Sequence, residues 1–280
     1  MTKKIKLFTD SAADVPVEYK EKYGIEIVPI TVMFGTVEYK DQVTLSLEEF
    51  WEKMLSSQEL PSTNQANPHD FVEAFQPFLE QGYTILYIGL SSRLSGTLQS
   101  AVIARELLQS QDIHIFDSKS ASIGETLLLL EAAEMLEEGR SVPEIMDVLA
   151  QRREESFAYF TLETLTHLVR GGRLSKAQGL IGSVLNIRPI LRIAPDGTIE
   201  PTEKARSTKR ALQTIVSKAK ERNIDFSKRR VAVVHTPGAE SLEEFIELVQ
   251  SELNPAEIIT GLIGPTVGTH AGPSGIALFF

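Results

Sequence analysis

Cysteine is absent from the 280 residues, which excludes disulfides, thiolate nucleophiles and any metal site built on sulfur. Positive charge is also scarce, with 28 Lys and Arg against 38 Asp and Glu and a formal net charge of −10. That balance argues against nucleic acid and anionic membrane as partners, since both need a basic face. No apolar run approaches the roughly 20 residues of a membrane span, and the opening MTKKIKLFTDS lacks the apolar core of a signal peptide. The expectation is a cytoplasmic protein with no stable membrane insertion. Several catalytic signatures are missing as well: there is no G-x-S-x-G elbow, no Walker G-x-x-x-x-G-K-[ST], no H-E-x-x-H and no G-x-G-x-x-G. His69, His114, His167, His235 and His270 show no metal-ligand spacing. No cofactor and no metal are expected.

What the chain does contain is organised around YTILYIGLSSRLSGTLQSA, Tyr83 to Ala101. Ile85, Leu86, Tyr87, Ile88 and Leu90 read as a buried strand, closed by Gly89 and the polar cluster Ser91, Ser92 and Arg93. From Thr97 the apolar residues fall at helical spacing, with Ser95 and Gly96 at the start. The first N–H groups of such a helix lack partners and carry partial positive charge, so an anion fits there. Gly96 admits close approach, and Ser92, Ser95 and Thr97 offer hydroxyl donors. A cap formed by Ser95 or Ser92 explains the same loop without any ligand.

The first half alternates strand, polar loop and helix: IKLF before TDSAADVP, then IEIVPITVMF, EEFWEKML, a loop and a helix from about Pro68, the central unit, and IHIFDSKSAS before a long helix from Gly124 to about Glu138. This alternation predicts an α/β fold with a parallel sheet, helices on both faces and a ligand crevice at the carboxyl ends of the strands. Asp10, Ser11, Ser91, Ser92, Asp117 and Ser118 fall at those ends. After VPEIMDVLAQRREE the apolar runs shorten, which predicts a mixed or antiparallel sheet with helices. A domain boundary is placed near residue 155, giving an N-terminal α/β domain over 1–155 and a C-terminal α/β domain over 156–280.

Three other stretches are notable. STNQ, Ser62 to Gln65, reads as a loop after Pro61 whose hydroxyls and amides suit a polar head group, or equally as a plain turn. Gly171 and Gly172 stop the helix THLVR, leaving Arg173 as a surface cation. GPTVGTHAGPSG, Gly264 to Gly275, reads as a repeatedly turning loop in which His270 is a hydrogen-bond donor or, once protonated, a counter-ion.

In order along the chain, TDSAADVP, PSTNQ, SSRLSGTLQSA, FDSKS, VRGGRLS, IRPIL and GPTVGTHAGPSG resemble the DegV family of bacterial fatty-acid-binding proteins. The resemblance covers the whole chain. It implies two α/β domains with a long-chain fatty acid in the cleft between them, the tail in an apolar cavity and the carboxylate bound by a Thr of PSTNQ and a Ser of SSxLSGT. The matching positions are Thr63 and Ser95, with His270 close to the head group. Asn64, Ala66 and Asn67 depart from the S-Q-P-S continuation common in the family, and Arg188 stands where a lysine is common. The resemblance further implies a carrier that presents its ligand to a separate ATP-dependent fatty acid kinase, with Arg173 and Arg206 at positions used to engage that partner. Such a protein is not itself an enzyme.

Burying about fifteen methylenes at about 0.8 kcal/mol each gives about 12 kcal/mol before ordering costs. The tail supplies affinity; hydroxyls and amides around the carboxylate set orientation and select an acid over an alcohol. Two other readings use the same cleft: a small esterase with Ser95 as nucleophile and His270 as base, and a regulatory protein for which the lipid is a signal.

Overall fold

In the first half of the chain, short β-forming runs end in polar or glycine-containing loops, and most of the helices that follow begin at Ser or Asn caps. The computed structural model describes residues 4–57, 59–174 and 187–280. Its parallel sheet has the order β2-β1-β6-β7, formed by β1 (Ile5–Asp10), β2 (Glu26–Val28), β6 (Thr84–Gly89) and β7 (Ile113–Asp117). Strand β6 is buried along its whole length. Leu86 and Ile88 face a layer made by α5 (Ile123–Glu137) and α6 (Val142–Glu154). Ile85 and Tyr87 face α3 (Pro68–Glu80) and α4 (Thr97–Leu107) on the other side. Helices on both faces are what the βα alternation predicts.

The run IEIVPITVMF does not form one strand. It divides at Pro29 into β2 and β3 (Thr31–Phe34), and β3 joins a separate antiparallel sheet of order β4-β3-β5, with β4 (Val37–Lys40) and β5 (Ser62–Asn64). Proline has no N–H to donate to a ladder and holds its φ fixed, so the chain changes sheets there. The segment expected as a PSTNQ loop is therefore partly a strand: Thr63 pairs with Val32 and Asn64 with Thr31. Two helices in this half start with capping boxes: α2 (Leu47–Ser56) on Ser46 and Glu49, and α3 on Asn67 and Asp70. Ahead of them, α1 (Val17–Tyr23) ends at Gly24 in the left-handed region.

The second sheet is mixed, as expected, with the order β10-β9-β8-β13-β11-β12. Its strands are β8 (Ala158–Thr161), β9 (Arg188–Ile193), β10 (Ile199–Ala205), β11 (Arg230–His235), β12 (Glu257–Leu262) and β13 (Ile276–Phe279). Only β11 and β12 run parallel among these pairs. One face is covered by α8 (Thr208–Lys220) and α9 (Leu242–Leu253). The other packs on α5, whose Ile123 and Leu130 join Ala158, Ala232, Val234 and Phe279. Helix α5 thus touches both sheets, which accounts for its predominantly apolar sequence: a helix with apolar residues on more than one face must be covered on each of them.

The segment expected as a turning loop, Gly264 to Gly275, is also different. Residues Pro265–Ala271 form α10, and α7 (Thr166–Arg170) lies against it. Pro265 at the first helical position is pre-set for helix, and the carboxylate of Asp41 accepts from the backbone N–H of Thr266 at 3.1 Å and from its hydroxyl. Gly268 lets the helix lie on Phe50 and Trp51, since a Cβ there would come within 2.8 Å of both rings. A cap and a docking surface supplied from distant residues turn a glycine-rich stretch into helix. Among the described residues no helix is long and apolar enough to cross a membrane.

Candidate functional site

The carboxyl ends of β1 and β6, the strand β5, helix α10 and one face of the mixed sheet border a partly open cavity. Its walls are overwhelmingly apolar. Leu90 and Leu94 come from the loop after β6, Phe160 and Leu162 from β8 and its end, Ile193 from β9, and Ala277 and Phe279 from β13. Thr63, Ser95, Arg173 and His270 also line it, and so does Gln65.

The polar residues are tied to one another. His270 Nε2 lies 2.8 Å from Thr63 Oγ1. Gly171 packs against the other side of the ring: a Cβ there would stand 2.2 Å from His270 Nδ1. Arg173 donates through Nε to the Leu94 carbonyl at 2.9 Å and through Nη1 to the Gly171 carbonyl at 2.5 Å. Next to Leu94, the Ser95 hydroxyl is 2.9 Å from Thr97 Oγ1 and accepts from the Thr97 N–H at 3.2 Å. Helix α4 starts at Gly96, with no side-chain cap. Gln65 reaches over this start, donating to Ser100 Oγ at 3.0 Å, and only a glycine at 96 leaves room for it, because a Cβ would fall 2.0 Å from Gln65 Oε1. Thr63, Gln65, Ser95, Arg173 and His270 therefore make one polar rim on an apolar cavity. Ser175, the last residue of the VRGGRLS motif, lies outside the described residues.

Electrostatically the rim holds one unneutralised cation. Arg173 is partly buried and bonds to backbone carbonyls, with no carboxylate partner among the described residues. His270 is held neutral: burial, helped by the positive charge of Arg173, lowers its pKa to about 4. The imidazole is thus a hydrogen-bonding group in the empty cavity and not the counter-ion that protonation would make it. Its Nδ1 is buried without a hydrogen-bond partner.

Beneath the cavity lies a layer of buried carboxyl groups that positions α10. Asp10, at the end of β1, accepts from the Tyr87 hydroxyl at 2.6 Å and from the Leu90 and Ala12 N–H groups. Asp14 accepts from the Ser122 hydroxyl and from the Gly264 N–H at 3.1 Å, while Asp41 caps Thr266. Burial pushes Asp14 up to about 8 and Asp41 up to about 6. Ser122 sits at φ 53°, ψ −145°, a conformation seldom open to a side chain. It is retained by its N–H bond to Ala12 and by the hydroxyl bond to Asp14. Together these contacts hold the start of α10, one turn before His270.

Of the residues singled out in the sequence, Thr63, Ser95, His270 and Arg173 all reach the cavity lining, whereas Arg206 is exposed between β10 and α8 and is not part of it. Ser92 is engaged elsewhere, with its hydroxyl on Asp117 at 2.5 Å. Gln65 stands in the STNQ motif but was not singled out; Asp14 and Asp41 carry no local signal of their role. Among the described residues no group of three or more His, Asp or Glu is placed to hold a metal.

A family model described as an uncharacterised protein of the DegV family matches residues 4–280. The chain belongs to the DegV family. A DegV domain-containing protein of Caldanaerobacter subterraneus subsp. tengcongensis is 38% identical over 277 residues, covering 99% of this chain and 98% of the relative. Among solved structures, DegV of Bacillus subtilis, described as a fatty acid binding protein, is 32% identical, with a TM-score of 0.88 and 99% of each chain covered. A DegV family protein of Ruminococcus gnavus, refined with vaccenic acid, is 26% identical, with a TM-score of 0.89 and 99% coverage of each chain.

Proposed function

We propose that this DegV protein binds a long-chain fatty acid in the cleft between an N-terminal unit (1–155) and a C-terminal unit (156–280), and presents its carboxyl group to a separate ATP-dependent fatty acid kinase. The observation that carries the binding reading is the pairing of an apolar cavity with a rim holding an unneutralised guanidinium. An acyl tail satisfies the walls and a carboxylate satisfies Arg173, with Thr63, Ser95, Gln65 and neutral His270 as further hydrogen-bonding groups. The description of the Bacillus relative as a fatty acid binding protein and the vaccenic acid of the Ruminococcus structure support the same reading. Arg173, half-buried at the rim, fits the carboxylate better than an outer docking surface. Arg206, exposed, is the candidate contact for a kinase.

Esterase chemistry draws no support from the geometry. The Ser95 hydroxyl is engaged with Thr97 and the His270 imidazole with Thr63, so the nucleophile and base of that mechanism are each bonded to another group.

The deciding experiment is mass spectrometry of small molecules released on denaturing the purified protein, backed by titration of delipidated protein with palmitate. A stoichiometric long-chain acid is the expected result and gives chain length and saturation together. No released acid and no palmitate binding would overturn the reading. The kinase step is tested separately, by acyl phosphate formation when a fatty acid kinase and ATP are added to the loaded protein.

A further inference from the structure

Ile193 and Phe279 line the apolar cavity and also a second cleft whose chemistry is the opposite. Lys119, Arg153, Arg192 and Arg222 all line it, in a chain of formal net charge −10. Cations gathered in this way repel one another unless anions neutralise them.

Two are neutralised in place. Arg192 pairs with Glu200 at 2.6 Å, and Lys119 lies 3.4 Å from Glu154. Arg222 is not, and Arg153 has only a share of the same Glu154 carboxylate. Arg222 lies with its guanidinium carbon 4.2 Å from the centre of the Phe157 ring and donates to the Tyr159 hydroxyl, with no carboxylate partner among the described residues. Arg153 donates through Nη1 to the Asp117 carbonyl at 2.9 Å. Its Nε is buried and makes no hydrogen bond, lying 3.6 Å from a Glu154 carboxylate that is more than half exposed and already shared with Lys119. The four cations of the cleft thus share two carboxylates, Glu154 and Glu200, and the cleft keeps a net positive charge. The half-buried Phe157 adds apolar surface beside the guanidinium groups, with the buried Phe280 packed against it.

We propose that this cleft is a binding site for a small organic anion, a phosphate or carboxylate carried on a flat apolar body. The acidic group takes the guanidinium donors of Arg222, which suit a bidentate acceptor, under the residual positive charge of Arg153, and the body lies against Phe157. The proposal does not depend on the fatty acid reading, because none of these residues lines the first cavity.

The test is isothermal titration of the full-length protein with phenyl phosphate, benzoate and inorganic phosphate. Phenyl phosphate or benzoate should bind with an affinity that falls as salt rises, and inorganic phosphate at least about tenfold more weakly for want of the flat body. Preference for phenyl phosphate or for benzoate identifies the acidic group. The double variant R153Q/R222Q should lose at least about tenfold in affinity while palmitate binding is unchanged. Absence of binding at millimolar concentration, equal affinity for inorganic phosphate, or binding undiminished in the double variant would overturn the proposal. If the double variant does not fold, amide shifts of the wild-type protein on titration with phenyl phosphate decide: changes centred on Phe157 and Phe280 support the site, and changes confined to other regions refute it.

Discussion

The rim and the wall of the apolar cavity are built in different ways. The wall comes largely from neighbouring strands of one sheet, where β8, β9 and β13 present Phe160, Ile193 and Phe279 side by side. The rim is assembled from residues far apart in the chain: Thr63 on β5, Ser95 before α4, Arg173 after α7 and His270 on α10. A wall needs only apolar area, which is non-directional and tolerant of exchange. A rim needs donors at set distances, so it depends on every element that delivers one. The two should respond differently to mutation.

The largest expected effect is on the wall. Ala277→Phe fills part of the cavity, and excluding about four methylenes at about 0.8 kcal/mol each weakens long-chain binding by about 100-fold. Titration with a series of acids should show shorter chains keeping their affinity. A uniform loss across all chain lengths would mean that wall and rim are not separable.

At the rim, Arg173→Gln should reduce palmitate affinity by about tenfold or more, because a charge-assisted bond is worth about 1.5 to 3 kcal/mol. Binding of the matching alcohol should change far less, and equal losses for acid and alcohol would remove Arg173 from the head-group site. Ser95→Ala and Thr63→Val each take away one hydroxyl and should cost about threefold to tenfold in the same assay, at about 0.5 to 1.5 kcal/mol per bond.

The smallest effect is on stability and depends on pH. The folded pKa of His270, about 4, lies below the ordinary value of 6.5, so the unfolded chain binds the extra proton between those values. The contribution of the neutral imidazole is therefore present above pH 6.5 and is lost as pH falls toward 4. Denaturant unfolding of wild type and His270→Gln at pH 7 and pH 4.5 should show the variant losing less on acidification. Asp14 works in the other direction. Its pKa, raised to about 8, means the folded state holds the proton more tightly, so stability is full below about pH 4 and is lost as pH rises through 8. Asp14→Asn, which stays neutral and tolerates the left-handed backbone at φ 53°, should flatten that loss.

Legibility in the sequence followed the same division. The strand and helix signals of the βα units were local, and Asp10, Ser91 and Asp117 stood at strand ends because a strand must close in a polar loop there. The strongly apolar run TLLLLEAAEML marked a helix without indicating that two sheets would cover it. Thr63 was visible as part of a polar cluster, but its place on a strand was not, since the pairing partner Val32 lies beyond a proline that breaks the preceding strand. The helix at Pro265–Ala271 was hidden for a similar reason: its cap, Asp41, and its packing surface, Phe50 and Trp51, are more than 200 residues away. Nothing local in the sequence marks the arginines of the second cleft, which lie on α6, on β9 and after α8.

By itself the sequence determined the α/β class, the parallel first sheet and mixed second sheet, the family and which polar residues to look for at the cavity, because these depend on local periodicity and short motifs. Tertiary structure decided which of those residues meet on one rim, that Arg173 faces a cavity while Arg206 stays in solvent, and that His270 is neutral. Distances, burial and charge state are properties of side chains brought together from remote positions, and no local pattern contains them.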